Sequence, residues 1–316
     1  MPVPNLADPV TTPTLPLLLR VLGPIEISWL GRPLVIARRQ ARALLLRLAT
    51  HLQPLARNDL LFLFWPDARE AVARRNLSHL LTHLRRALPQ PDLLQLTDDY
   101  VALNPMLVWS DAAEFARLCA TPARAGRRAA LRRALELYRG PFLQGLVIPD
   151  SPEYEQWLEQ ERESLHNAYY AAVRAVLAQC QVEDDYETGI ALAQRYLTQD
   201  SAREDIHCAL MVLYALNGNR DAALRQFDRL AISLERELGT RPLDTSRTLY
   251  RAILDGRLDR LRQPLTGPTW AALPGGRRRV TFGLDLRAMV HPDGLVLGNA
   301  GSRFRLVTPG GAAEVA

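Results

Sequence analysis

The sequence predicts a mainly α-helical protein, with a small N-terminal α+β module of winged helix-turn-helix order followed by an all-α domain of tetratricopeptide-like helical repeats. Three observations predict it. Apolar residues near the N-terminus alternate at strand spacing and then switch to helical spacing. Two apolar runs around Asp98 and Asp99 then read as a hairpin. From Asp111 to Gly256 the periodicity is entirely helical, with an internal echo.

The strands come first. In "LLLRVLGPIEISWLGRPLVI", Leu19 and Val21, then Ile25 and Ile27, alternate with other residues, and Gly31 supplies a turn. From Arg38 to His51 the pattern is helical, with Leu44, Leu45 and Leu48 on one face. A short helix follows in "NDLLFLFW", with Asn58 as its expected N-cap. A third helix fills roughly Arg69 to Leu88, with Asp67 and Glu70 spaced like a capping box and Pro89 and Pro91 as its stop. "LLQLTDDYVALNP" closes the module as a hairpin, completing the winged-helix order.

The remaining helices form repeats. "DYETGIAL" begins at Asp185 and "NRDAALRQ" at Asn219, 34 residues on, with Gly189 and Ala223 in equivalent positions. That is the tetratricopeptide period. In the second copy Leu210, Tyr214, Gly218, Ala223 and Phe227 fall on the packing positions, whereas the first places Cys180 and Ala193 where aromatics belong. Helices at Arg127–Tyr138 and Thr245–Leu254 flank the pairs. The expected divisions are a flexible arm at 1–14, a winged-helix DNA-binding domain at 15–110, the helical domain at 111–256, and a linker and unassigned tail at 257–316. The last 35 residues fit a β-hairpin or two.

Composition sets the outer limits. The 316 residues are 48% apolar and 23% charged, as in an ordinary globular protein. No apolar run approaches the ~18 residues of a membrane span, and the N-terminus lacks the basic start of a secretory signal. The three cysteines are far apart with no C-x-x-C pair, which argues for a reducing compartment and against zinc. All 39 basic residues are arginine and the net charge is +5. Residues 1–110 hold 12 Arg against 8 acids, whereas residues 111–256 hold 18 against 22. A basic head on an acidic middle suits a nucleic-acid reader joined to something else, although ordinary surface variation gives the same balance.

The third helix carries the chemistry. At 100° per residue Leu77, Leu80, Leu81, Leu84 and Leu88 fall within one narrow arc, which must face a core. The opposite side carries Arg75, His79, Thr82 and Arg86, flanked by Arg74, Asn76, Ser78 and His83. Arginine is bidentate to guanine, asparagine to adenine, and Ser, Thr and His reach bases or phosphates. No acid interrupts this face between Arg74 and Leu88. Arg38, Arg39 and Arg42 open the first helix, where backbone N–H groups also attract phosphate. A solvated amphipathic helix and solubilising charge are the plainer readings of these two sets. At the wing tip, Asp98 and Asp99 stand where a minor-groove wing prefers a basic or neutral residue.

Taken together, these stretches resemble the SARP-type bacterial transcriptional activators, an OmpR-type winged helix fused to a bacterial transcriptional activator domain. The likeness lies in "LRVLGPIEISWLGRPLVIARRQARALLLRL", "DLLFLFWPD" with "ARRNLSHLLTHLRRAL", "YVAL", "SDAAEFARL", "LYRGPFLQGL" and, most specifically, the terminal repeat from "REDIHCALMVLYALNGNRDAAL" to "SRTLYRAIL". It covers about residues 15–256. The resemblance implies a DNA-binding activator that binds promoter direct repeats as a homodimer, with Arg74–Arg86 reading bases and Arg38–Arg42 on the backbone. It also implies a helical domain that self-associates or recruits RNA polymerase, an output module like those of phosphorelays, and a cytoplasmic, nucleoid-associated location. The acidic wing tip departs from the family, and the tail matches nothing in it.

The competing readings are an enzyme and a scaffold. No G-x-x-x-x-G-K-[ST], G-x-S-x-G or H-E-x-x-H motif is present. His79 and His83 sit at chelating spacing on a helix but lack a neighbouring carboxylate or thiol, so no metal and no cofactor is expected. A repeat scaffold whose winged helix no longer binds DNA is the alternative, its acidic middle favouring a basic partner.

Overall fold

The computed structural model describes residues 15–122, 126–148 and 151–257, together with strands at 291–298, 301–308 and 311–315. The expected arm at 1–14 lies outside the described residues. The chain divides into two compact units, one formed by 1–180 with 191–199 and the other by 181–190 with 200–316.

The first unit opens with strands β1 (Leu17–Arg20), β2 (Glu26–Trp29) and β3 (Arg32–Pro33). The β2–β3 turn puts Leu30 at φ +47° and Gly31 at φ +78°, so Gly31 acts as the expected turn residue. Helix α1 (Arg39–Ala49) buries Leu44, Leu45, Leu46 and Leu48. After it come β4 (Leu55–Ala56), α2 (Arg57–Phe64), α3 (Glu70–Ala87), and the wing strands β5 (Leu94–Leu96) and β6 (Tyr100–Leu103). The wing is a three-stranded sheet of order β4-β6-β5, and β5 pairs antiparallel to β6 with Leu96 opposite Val101.

Two expected helix caps are corrected. Helix α2 starts two residues early: Ala56 is its cap, and Asn58 lies inside the first turn. The chain enters α2 directly from β4, and the Arg57 N–H donates to the Asp99 carbonyl at 2.8 Å. Asp67 caps nothing, because residues 65–68 form a turn closed by Ala68 N–H to Trp65 O, and Arg69 stands at the cap of α3.

The helical reading from Asp111 onward is corrected in one place, and a strand not expected from the sequence precedes it. A short strand β7 (Val108–Ser110) leads into the region, pairs parallel with β1 and completes a sheet of order β3-β2-β1-β7. Between α5 (Arg127–Leu137) and α6 (Pro152–Val182), residues 138–148 form turns and isolated bridges in place of helix. There Leu143 N–H donates to Val21 O at 2.8 Å and Gly23 N–H to Pro141 O at 3.1 Å. Gly23, at φ +112°, and Gly140 permit this approach, since a Cβ on Gly140 would lie 3.3 Å from the Gly23 Cα. Helix α4 (Asp111–Cys119) precedes α5. Its cap Ser110 accepts from Ala113 N–H, as the first-turn chemistry favours.

Helix α6 packs on the winged helix. Tyr154, fully buried, donates its hydroxyl to Ala43 O at 3.1 Å, and its ring lies 5.4 Å from Phe64. Arg47 lies over the Trp157 ring at 4.7 Å, and Arg162 donates to the carbonyls of Phe142 and Leu143.

Helix α7 (Tyr186–Leu197) starts 34 residues before α9 (Arg220–Leu238), so the internal echo marks equivalent helix starts. Cys180 and Ala193, the weak positions of the first copy, are both buried. In the second unit α8 (Glu204–Leu216) turns at Gly218, φ +76°, into α9, whose cap Asn219 accepts from Ala222 N–H. Cys208, Met211, Val212 and Ala223 pack with Leu249 and Ile253 of α10 (Asp244–Leu254). Tyr214 and Phe227 lie against this cluster and Leu210 is buried, whereas Gly218 is exposed in the turn. In the tail that the sequence leaves unassigned, β8 (His291–Gly298), β9 (Gly301–Thr308) and β10 (Gly311–Val315) pair antiparallel in succession.

Candidate nucleic-acid interface

Helix α3 is built by its leucines. Leu77, Leu80, Leu81, Leu84 and Leu88 are all buried, none more than 6% exposed. That fixes the helix rotation and turns the other face to solvent. Arg74, Arg75, Ser78, His79, Thr82, His83 and Arg86 are exposed, and Asn76 is half-buried at the margin. From Arg75 to Arg86 the helix rises about 16 Å, the length of roughly five stacked base pairs.

The cations on this face differ in freedom. Arg74 is held by Glu70 one turn earlier, with Nη2 at 2.7 Å and Nε at 2.9 Å from Oε1. Arg75, Arg85 and Arg86 make no ion pair among the described residues. Ser78 donates its hydroxyl to Arg74 O and Thr82 to Ser78 O, so both hydroxyls point along the helix and keep their oxygens as acceptors. No side chain caps α1 or α3, and α1 has no acid in its first turn, which leaves first-turn N–H groups open to an anion. Arg38 and Arg39 are exposed there, whereas Arg42 is half-buried with its Nε lacking a partner.

The wing turn is braced from below. Thr97 Oγ1 accepts from Tyr100 N–H at 3.0 Å and from Asp99 N–H at 3.3 Å. Arg57 Nε donates to Thr97 O at 2.8 Å. Asp98 and Asp99 are exposed at the tip. Arg57 and Arg85 were not singled out by sequence reasoning. Arg85 follows from the helical wheel once Leu81 and Leu84 are fixed, but Arg57 depends on where the wing lands.

The described residues hold no group of three or more His, Cys, Asp or Glu side chains able to bind a metal ion, and no described helix is long and apolar enough to cross a membrane.

Comparison with known proteins places this geometry. Residues 110–254 match the family of the bacterial transcriptional activator domain. Over 270 residues the chain is 28% identical to the transcriptional regulatory protein MoaR1 of Mycobacterium tuberculosis, covering 78% of this chain and 85% of that one. The Mycobacterium bovis MoaR1 is 27% identical over the same shares. Among solved structures, Mycobacterium tuberculosis EmbR in complex with a low-affinity phosphopeptide shares the fold. Its TM-score is 0.57 at 19% identity, over 96% of this chain and 94% of that one.

Proposed function

We propose that the chain, whose residues 110–254 match the bacterial transcriptional activator domain, is a SARP-type transcriptional regulator that activates genes by binding promoter direct repeats through helix α3. The observation that carries this reading is the division of α3, with five leucines buried and an acid-free face from Arg74 to Arg86 exposed. Arg75, Asn76, His79 and Thr82 face the base edges of a major groove. Arg38, Arg39 and Arg42 meet the phosphate backbone beside the open start of α1.

The module at 15–110 reads DNA, and the helical domain at 111–256 supplies self-association and the contact to RNA polymerase. A homodimer fits a direct repeat, with one copy on each half. Such a protein works in the cytoplasm on the nucleoid. A gel shift against the DNA upstream of the chain's own gene, across a salt series, tests the reading. A sequence-preferring band that weakens steeply with salt is expected. No shift even at low salt sinks the reading and leaves a repeat scaffold.

A further inference from the structure

The arginines missed in the sequence converge on one concavity. Helix α3, the wing strand β5 and the first residue of α2 enclose a groove of about 390 Å³. Its floor is apolar, from Leu81 and Leu96, and its walls carry Arg57, Arg85 and Arg86. The hydroxyl-bearing Ser78 and Thr82 complete the lining, and no carboxylate is part of it.

Three like charges around one groove repel one another unless an anion joins them. Arg85 and Arg86 have no ion-pair partner among the described residues, and Arg57 has only its Nε committed, to Thr97 O. The unspent guanidinium N–H groups are the fork donors that match a phosphate. Nearby, Arg74 shows the contrary arrangement, since Glu70 neutralises it.

We propose that this groove between α3 and the wing is a seat for one DNA backbone phosphodiester, held by Arg57, Arg85 and Arg86. The inference rests on the DNA-binding reading above and deepens it. Arg86 then serves the backbone and not a base. Arg57 is a positioning residue as well as a contact, because it ties the wing turn to the same phosphate through Thr97. The wing therefore takes part in binding through its base, and its acidic tip is not required to touch DNA.

The test uses the full chain and two short duplexes, one from the DNA upstream of its own gene and one with that sequence shuffled. Binding is followed by fluorescence anisotropy between about 50 and 200 mM salt. Arg57→Ala, Arg85→Ala and Arg86→Ala should each weaken binding to both duplexes by the same factor. Because the three arginines share one phosphate, the slope of log affinity against log salt should fall by about 0.9 when all three are removed together, and by part of that in the double variant Arg85→Ala/Arg86→Ala. Melting temperature should stay near wild type for Arg85→Ala and Arg86→Ala, which keeps the test valid if Arg57→Ala loosens the wing. A wild-type salt slope in Arg85→Ala/Arg86→Ala would overturn the seat while leaving DNA binding intact. A loss confined to the upstream duplex would mean base contacts and would also overturn it. Failure of the unaltered protein to bind either duplex would overturn the DNA-binding reading, and the seat with it.

Discussion

The carboxylate of Asp111, buried to 2% exposure at the start of α4, accepts the Val21 N–H at 2.7 Å from ninety positions away. It also takes the Leu22 N–H at 3.2 Å, and Arg139 Nη2 lies 3.7 Å off. One side chain thus supplies the acceptors that β1 lacks where its sheet pairing ends. It also fixes α4 to β1.

Burial pushes the Asp111 carboxyl up to about 6, against the pull of its backbone hydrogen bonds and Arg139. The folded chain therefore holds this proton more tightly than the unfolded chain does. The stability contributed by protonation is fully present below about pH 4 and is lost as pH rises through 6. At ~1.4 kcal/mol per unit, the swing is about 3 kcal/mol. Subtracting the denaturation midpoints of Asp111→Asn from those of wild type should expose a component that falls between pH 4 and 6. A difference that does not vary with pH would show that Asp111 stays ionised throughout.

Tyr154 makes the second long tie, and its two parts separate by substitution. Tyr154→Phe removes only the hydrogen bond to Ala43 O and should cost about 1 kcal/mol. Tyr154→Ala also removes the ring between Phe64 and Trp157 and should cost about 3–5 kcal/mol. Urea denaturation measures both. Equal losses would mean that the ring packing contributes nothing.

Helix α3 was legible in the sequence because five leucines repeat at helical spacing from Leu77 to Leu88, and that pattern fixes both its buried and its exposed faces. The wing hairpin and the second repeat were legible for the same reason, a period matched to an element. Strand β7 was not, because Val108–Ser110 is too short to show alternation. The non-helical stretch around Gly140 was not legible either. Its backbone pairs with Leu22 and Gly23, and nothing local in "RGPFLQGL" encodes a partner so distant. Asp67 and Asn58 have the right side chains for caps but stand in the wrong backbone. Arg57 lines the groove beside α3 only because β4 and the wing bring it there, a tertiary fact that spacing along one helix does not contain.

In the second unit His207 is buried, with Nε2 at 3.0 Å from Ser201 O and Nδ1 at 2.7 Å from the Gln226 amide. Nδ1 accepts from the amide and Nε2–H donates to the carbonyl, so the neutral ring satisfies both partners. Desolvation lowers its pKa below the ordinary value, more than the hydrogen bond to Ser201 raises it. The folded state therefore binds this proton more weakly than the unfolded chain. Stability from this site is complete above about pH 6.5 and falls as the pH drops below that value. This is opposite in sign to Asp111. His207→Gln should flatten the fall in stability as the pH drops below about 6.5, and an unchanged limb would place its cause elsewhere.

The exposed arginines of the two helices should fail in different ways. Arg75 stands on the outer face of α3 near its N-terminal half, the part of a recognition helix that meets base edges. Arg75→Ala should cost about 1–3 kcal/mol on the preferred duplex and much less on a shuffled one, relaxing specificity. Arg39 stands in the first turn of α1, beside open backbone N–H groups and no acid. Arg39→Ala should weaken every duplex alike and reduce the salt slope by about one contact. Quantitative binding of both variants to both duplexes separates the cases. If Arg75→Ala lowers both affinities equally, that side chain lies on the backbone, and sequence is read elsewhere on α3.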